Sequence, residues 1–137
     1  MPKYPAVAFA TAGAPRSGIM GRRLAGKRLY LGLALGWMGV LWYFSSLPAT
    51  GAGLPHPWDK AAHFAAYALL GFLWRRGLGR FRPAFLLSAL YGVVDEWHQS
   101  FVPGREAFGL DLLADFLGAY LGARGAGRWE ALRGARP

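Results

Sequence analysis

The chain has 137 residues, of which 54% are hydrophobic, and a formal net charge of +9 at pH 7. This length fits one domain, and the apolar share is high for a soluble protein. The absence of cysteine excludes disulfides, thiolate metal sites and a cysteine nucleophile. The basic residues fall in blocks between apolar runs rather than in a patch interleaved with polar and aromatic residues, which argues against nucleic acid as a partner.

The first part of the chain combines a basic segment with a long apolar run. Residues 1–28 show no apolar period and predict a flexible basic N-terminal tail. Residues 29–47 carry no charge and, at about 1.5 Å per residue, are long enough to cross roughly 30 Å of hydrocarbon. A signal peptide is the alternative, but the run is long for one and further apolar runs follow, so an uncleaved transmembrane helix is favoured. Its Gly32 and Gly36 pair either allows close approach of another helix or reflects ordinary glycine usage in membrane helices.

Three shorter apolar runs follow at 61–74, 83–94 and 112–123. Each reaches membrane length if the polar residues beside it lie at or just inside the membrane interface. The sequence therefore predicts an all-α, polytopic membrane protein with four transmembrane helices in residues 29–124. Residues 125–137 are predicted to form a basic C-terminal tail on an anionic membrane surface.

The distribution of basic residues predicts an orientation. Lysine and arginine are concentrated before helix 1, between helices 2 and 3, and after helix 4. The positive-inside rule therefore puts both termini and the second loop in the cytoplasm, and the first and third loops outside. The start of helix 2, the end of helix 3 and the start of helix 4 then meet at the outer face.

The start of helix 2 carries polar side chains at helical spacing. Asp59 and His63 share one helix face, and His63 and Tyr67 do so as well. Asp59 has an ordinary explanation as an N-cap stabilised by the helix dipole. Lys60 has no such explanation, because the dipole disfavours a cation at a helix N-terminus by a few tenths to about 1 kcal/mol.

A second polar group spans the end of helix 3, the following loop and the start of helix 4. Its members are Asp95, Glu96, His98, Gln99, Arg105, Asp111 and Asp115. Asp111 suits a helix start, but Asp95 and Glu96 are anions near a helix C-terminus, where the dipole disfavours them. We expect Lys60 and Arg105 to neutralise these carboxylates, either as purely structural salt bridges between helices or as part of an outward-facing site.

Three blocks, at 59–71, 95–105 and 111–118, resemble the VanZ-like family of bacterial membrane proteins. They read D-K-x-x-H-F-x-x-Y-x-x-L-G, D-E-x-H-Q-x-F-V-P-G-R and D-x-x-x-D-x-x-G. Asp115 stands where many family members carry asparagine. The resemblance implies a small four-helix protein of the bacterial cytoplasmic membrane, and a role in glycopeptide resistance of the teicoplanin type.

The leading hypothesis is an outward-facing pocket that binds an anionic envelope component, with or without modifying it. Such a component is a lipid-linked cell-wall precursor or a phospholipid. Lys60 and Arg105 would hold the anion, and Gln99 would donate a hydrogen bond. The residues expected to bind it are Lys60, Tyr67, Gln99, Arg105, Asp111 and Asp115.

Chemistry in this pocket would fall to histidine, which exchanges protons near neutral pH when it lies beside a carboxylate. His63 or His98 would act as general acid or base. The carboxylate of Asp59, Asp95 or Glu96 would orient this histidine. The residues expected to be catalytic are His63, His98, Asp95, Glu96 and Asp59.

Other classes of function stay open at this point. A metal site is a lower-ranked alternative because Lys60 and Arg105 are close, so no metal or cofactor is expected. Its ligands would be Asp59, His63, Asp95 and His98. The non-enzymatic alternatives are an envelope accessory protein and a small transporter, for which a homo-oligomer would supply the room that four short helices lack.

Overall fold

Four α-helices make up most of the chain in the computed structural model, which describes residues 16–48, 57–105 and 109–134. They are α1 (Arg16–Ser45), α2 (Trp58–Leu78), α3 (Phe81–Gln99) and α4 (Gly109–Gly134). These ranges contain no strand. The predicted all-α class and number of helices are confirmed.

α1 and α4 are longer than the sequence predicts. α1 begins at Arg16, so residues 16–28 are helical rather than a flexible tail, and residues 1–15 lie outside the described ranges. α4 continues to Gly134 instead of ending near Ala123, so most of the predicted C-terminal tail is helical as well. Neither extension contains proline, and both contain good helix formers, so nothing in them stops the helix.

The turn between α2 and α3 follows ordinary capping rules. Arg75 and Arg76, which follow the apolar run at 61–74, are still helical because arginine is a good helix former. α2 ends instead at Gly79, whose φ of 71° is left-handed and whose N–H donates to the Arg75 carbonyl. Pro83 lies in the first turn of α3, where its missing N–H costs nothing.

The predicted transmembrane character of the helices is not reproduced. Within the described ranges, none of them combines the length with the apolar content that crossing a membrane requires. The aliphatic side chains of α1 are diluted by glycine, tryptophan and tyrosine, and those of α2 by histidine and arginine.

The closest helix contact is between α2 and α4. A Cβ atom added at Gly118 or Gly122 would collide with main-chain atoms of α2, at Ala68 in the case of Gly122. Only glycine therefore permits this approach. The corresponding pair of α1, Gly32 and Gly36, has no neighbouring atom within 4 Å, so ordinary glycine usage explains it in the isolated chain.

The two ends of the bundle differ in chemistry. The helices alternate in direction, so one end joins the last turns of α1 and α3 to the first turns of α2 and α4. At this polar end Lys60 forms an ion pair with Asp111. At the opposite, basic end, Arg76 pairs with Glu130 over 3.1 Å. The meeting of three predicted helix ends therefore follows from the order of the helices.

Candidate functional site

A buried polar cluster lies at the polar end, between α2, α3 and α4. Its members are Lys60, His63, Tyr67, Asp95, Glu96, Gln99, Asp111 and Asp115. The four carboxyl side chains among them are all buried, and Asp115 is 0% exposed. Buried carboxylates are stable only if they are paired or hydrogen-bonded, so their partners decide what the cluster does.

His63 and Asp115 form the central contact of the cluster. The His63 Nδ1 atom lies 2.9 Å from Asp115 Oδ1, and the ring nitrogen donates when it carries a proton. Gly118 lies one turn after Asp115, and its close approach to the main chain of Phe64 brings α4 against α2 beside His63. The glycine contact therefore sets the hydrogen-bond distance between the two side chains.

Lys60 joins α2 to α4 at the edge of the cluster. It pairs with Asp111 and, over 3.0 Å, with Asp59. α2 begins at Trp58, so Asp59 lies in the first turn rather than at the N-cap, and its Oδ1 accepts the Lys60 N–H at 2.8 Å. The expectation that Lys60 neutralises carboxylates fits these contacts.

Asp95 is stabilised by two donors. The Tyr67 hydroxyl and the Gln99 amide both donate to Asp95 Oδ2, at 3.3 Å and 3.2 Å. These hydrogen bonds compensate an anion that the dipole of α3 disfavours. Gln99 is thus a donor, as expected, but in this structure it donates to a side chain of the protein.

Three buried carboxylate oxygens in the cluster have neither a hydrogen-bond partner nor an ion-pair partner, whereas a fourth, Asp111 Oδ1, forms the ion pair with Lys60. They are Asp95 Oδ1, Glu96 Oε1 and Asp115 Oδ2. Leaving a buried acceptor unsatisfied costs about 1–3 kcal/mol. The cluster therefore offers more acceptors than the protein's own donors satisfy.

His98 does not belong to the cluster, contrary to expectation. Its ring stacks on Trp42 with 3.9 Å between ring centroids, and its Nε2 lies 2.9 Å from the Ser46 hydroxyl. Consecutive helical residues point about 100° apart, so Gln99 and His98 leave α3 in different directions. Gln99 faces Asp95, and His98 faces α1.

Arg105 also departs from expectation, because it takes part in none of the ion pairs among the described residues. Its guanidinium donates to the carbonyls of Phe44 at 2.7 Å and Leu47 at 3.1 Å, and to Gln99 Oε1 at 3.5 Å. The last carbonyls of a helix lack intrahelical partners, so Arg105 caps α1. No carboxylate among the described residues pairs with its charge.

A cavity of about 250 Å³ opens beside the cluster, between α1, α2 and α3. Its polar lining consists of Ser45, His63, Tyr67, Asp95, Gln99 and Arg105. Its apolar wall consists of Trp37, Val40, Leu41, Phe44, Ala62 and Ala66. The α1 residues of this wall were missed as site residues, because their helical spacing is equally typical of core packing.

The side chains that converge closely enough for one metal ion, in the part of the chain that is described, are His63, Glu96 and Asp115. One ligand atom from each lies within 4.8 Å of the others. The ligand set of the lower-ranked alternative, Asp59, His63, Asp95 and His98, is not brought together, because His98 contacts α1 and Asp59 pairs with Lys60.

Comparison with known proteins gives one match. A family model described as VanZ/LLP1 matches residues 30–127, which include the whole polar cluster and the cavity lining. No curated protein and no solved structure matches the chain.

Proposed function

Because the chain belongs to the VanZ/LLP1 family, we propose that it is a protein of the bacterial cytoplasmic membrane whose cavity binds an amphipathic, anionic envelope component. The observation that carries this proposal is the two-part lining of the cavity. The lining combines polar and charged side chains, among them Arg105 and His63, with apolar side chains of α1 and α2.

Exposed apolar side chains support residence in the membrane. Leu113, Leu117 and Leu121 form a stripe along α4, and each is at least 50% exposed. Leu86 and Leu90 of α3 are exposed by about the same fraction or more. Soluble monomers rarely expose contiguous apolar surface of this kind. The positive-inside rule would then place the basic end in the cytoplasm and the polar end outside.

The chemistry of the lining favours a phosphate-bearing lipid. The charge of Arg105 is balanced by no carboxylate among the described residues, and guanidinium groups bind phosphate by charge-assisted hydrogen bonds. Trp37, Leu41 and Phe44 offer the apolar wall for an acyl or polyprenyl chain. A phospholipid and a polyprenyl-diphosphate cell-wall precursor share this chemistry.

Modification of the bound lipid would fall to His63, which lines the cavity and is held by Asp115. A histidine oriented by a carboxylate suits general acid–base catalysis. The orienting carboxylate is then Asp115 rather than Asp59 or Asp95, and His98 has no part in the reaction.

The test uses the full chain in phosphatidylcholine nanodiscs, with bound lipid counted by native mass spectrometry. Phosphatidylglycerol and a polyprenyl diphosphate are added in separate arms, which distinguishes the two sources of phosphate. We expect at least one to bind about tenfold more tightly than phosphatidylcholine. Equal retention of all three lipids would contradict the proposal.

A charge series at Arg105 separates anion binding from its capping role. We expect Arg105→Gln to weaken binding about tenfold and Arg105→Lys to weaken it less, because lysine keeps the charge. Arg124→Gln is the matched control, since Arg124 lies over the rings of Phe81 and Tyr120 and lines no part of the cavity. Equal binding by all three variants would remove Arg105 from the site.

Family membership also supports a role in glycopeptide resistance, which we propose for this chain in the teicoplanin form. Expression in a susceptible bacterium should raise the inhibitory concentration of teicoplanin, and His63→Ala should abolish that rise at unchanged membrane abundance. No change with the unmodified chain at verified membrane abundance would contradict this role while leaving lipid binding to its own test.

A non-catalytic accessory role is the second candidate. It is favoured by contacts that tie α2 to both neighbours, namely Lys60 to Asp111 and Tyr67 to Asp95. In that case His63→Ala would lower the membrane abundance of the protein and the teicoplanin resistance in parallel. A loss of phenotype alone would favour the binding site.

A further inference from the structure

We propose that His63, Glu96 and Asp115 bind one divalent transition-metal ion. The three residues come from α2, α3 and α4, and one ligand atom of each lies within 4.8 Å of the others. The metal site does not depend on lipid binding, because it concerns the buried cluster behind the cavity and has its own readout, but a His63 bound to the ion would not act as general acid or base.

Unsatisfied carboxylate oxygens are the independent observation that points to a ligand. Asp115 is 0% exposed and Glu96 is 7% exposed, yet Asp115 Oδ2 and Glu96 Oε1 have no hydrogen-bond partner. A metal ion bound by these carboxylates would supply the missing interaction. The pairing of His63 with Asp115 alone leaves both oxygens unsatisfied.

The balance of charge around the cluster also favours a cation. Lys60 pairs with Asp59 and Asp111, whereas the basic group that converges with Glu96 and Asp115 is the His63 imidazole. A proton on His63 compensates one negative charge, and a divalent ion compensates two. Asp95 is stabilised separately by Tyr67 and Gln99.

The distances fit an ion after a small rearrangement. Ligand atoms about 2.0–2.2 Å from a metal lie roughly 3–3.6 Å apart. The His63 Nδ1 and Asp115 Oδ1 atoms, at 2.9 Å, are just below the lower end of this spacing. The largest separation in the group, 4.8 Å, closes if the flexible Glu96 side chain moves by about 1–1.5 Å.

The donor set narrows the identity of the ion. One imidazole nitrogen with two carboxylates suits Zn²⁺ or Mn²⁺, whereas Mg²⁺ and Ca²⁺ prefer oxygen alone. Three protein ligands leave coordination positions open, and His63 borders the cavity, so a bound ion would be within reach of a ligand there. The ligating nitrogen must lose its proton, so binding should weaken as the pH falls.

The experiment uses the full chain in detergent, stripped with EDTA and then titrated with ZnCl₂ or MnCl₂. Metal content by mass spectrometry should reach one ion per chain. We expect Asp115→Asn and Glu96→Gln each to weaken binding at least tenfold, and His98→Ala to leave it unchanged. Circular dichroism on each variant checks the fold, and a rise of the melting temperature with metal in the unmodified chain reports the same site independently.

Two results would overturn the metal site. One is the absence of stoichiometric Zn²⁺ or Mn²⁺ in folded, unmodified protein at 1 mM metal. The other is unchanged affinity in both carboxamide variants, which would mean adventitious binding elsewhere. Lipid binding by the stripped protein is scored separately, so the metal site and the lipid site succeed or fail independently.

Discussion

His63 and His98 lie at the same end of the bundle but in two different regions. His63 faces the α2–α3–α4 region, where Asp115 accepts its hydrogen bond and Glu96 is close. His98 faces the α1 region, where it stacks on Trp42. The first environment is ionisable and buried, and the second is aromatic. Neighbours, rather than residue type or helical spacing, therefore separate a candidate site from a packing contact.

The two regions are also joined in different ways. α2 and α4 approach most closely where glycines meet main chain, whereas side-chain donors to carbonyls contribute to the contacts of α1. Trp37 Nε1 donates to Ala66 at 2.9 Å, and the Tyr91 hydroxyl donates to Met38 at 2.6 Å. The cavity lies between α1 and the helices that it contacts. Changes in the α2–α4 contact should therefore cost more stability than changes around α1.

The largest expected effect comes from Gly122→Ala. Its Cβ would meet main-chain atoms of Ala68, which cannot move aside, so we expect a loss of about 3 kcal/mol, at the upper end of typical overpacking costs. Gly36→Ala is the matched control and should be neutral or slightly stabilising, because Gly36 faces open space. Unfolding in detergent, followed by circular dichroism, measures both. Equal destabilisation by the two substitutions would contradict the expected difference between the α2–α4 contact and α1.

Removing the Lys60 charge should have the next largest effect. Lys60→Met leaves the buried carboxylate of Asp111 without this partner, and we expect a loss of about 2 kcal/mol since the pair is largely but not fully buried. Asp111→Asn in the same chain should recover part of that loss. A double-mutant cycle with no coupling between the two positions would show that the ion pair contributes nothing.

A smaller effect is expected from His98→Ala. The variant loses stacking on Trp42 and a hydrogen bond to Ser46, which together cost about 1 kcal/mol. His98→Phe should recover the stacking part. Thermal unfolding measures the stability of both variants. Loss of lipid binding in a folded His98→Phe variant would place His98 in the site after all.

The smallest effect is expected from Trp37→Phe. It removes the hydrogen bond to the Ala66 carbonyl and keeps most of the apolar contact, so the cost should be about 0.5–1 kcal/mol. Ala66 lines the cavity, so we expect water there to hydrogen-bond to the carbonyl that loses Trp37. A larger loss of stability than that of Gly122→Ala would contradict the expectation that the α2–α4 contact contributes more stability than the contacts of α1.

The sequence predicts much of this architecture because strong, local patterns determine it. Apolar runs separated by proline, glycine and charge give four helices, and an antiparallel order brings Lys60, His63, Asp95 and Asp115 to one end. The direction of a side chain around its helix is harder to predict, since it depends on where the neighbouring helices pack. For this reason His98 was grouped with Asp95.

Contacts made to the main chain were also beyond prediction. Arg105 was expected to pair with carboxylates but caps α1. Every residue has a backbone carbonyl, so the sequence does not indicate which carbonyls will accept a side-chain hydrogen bond. Gly32 and Gly36 have the same spacing as Gly118 and Gly122, but among the described residues only the second pair lies against a neighbouring helix. Such differences depend on tertiary packing, which spacing alone does not encode.

Lipid binding by variants of the two histidines distinguishes the two regions. Binding of phosphatidylglycerol and of a polyprenyl diphosphate is compared in His63→Gln and His98→Gln, at equal folded protein in nanodiscs. The distinction between the two regions predicts at least a tenfold loss for His63→Gln with either lipid that the unmodified chain retains, and little change for His98→Gln. Equal loss in both variants, or loss in His98→Gln alone, would contradict it.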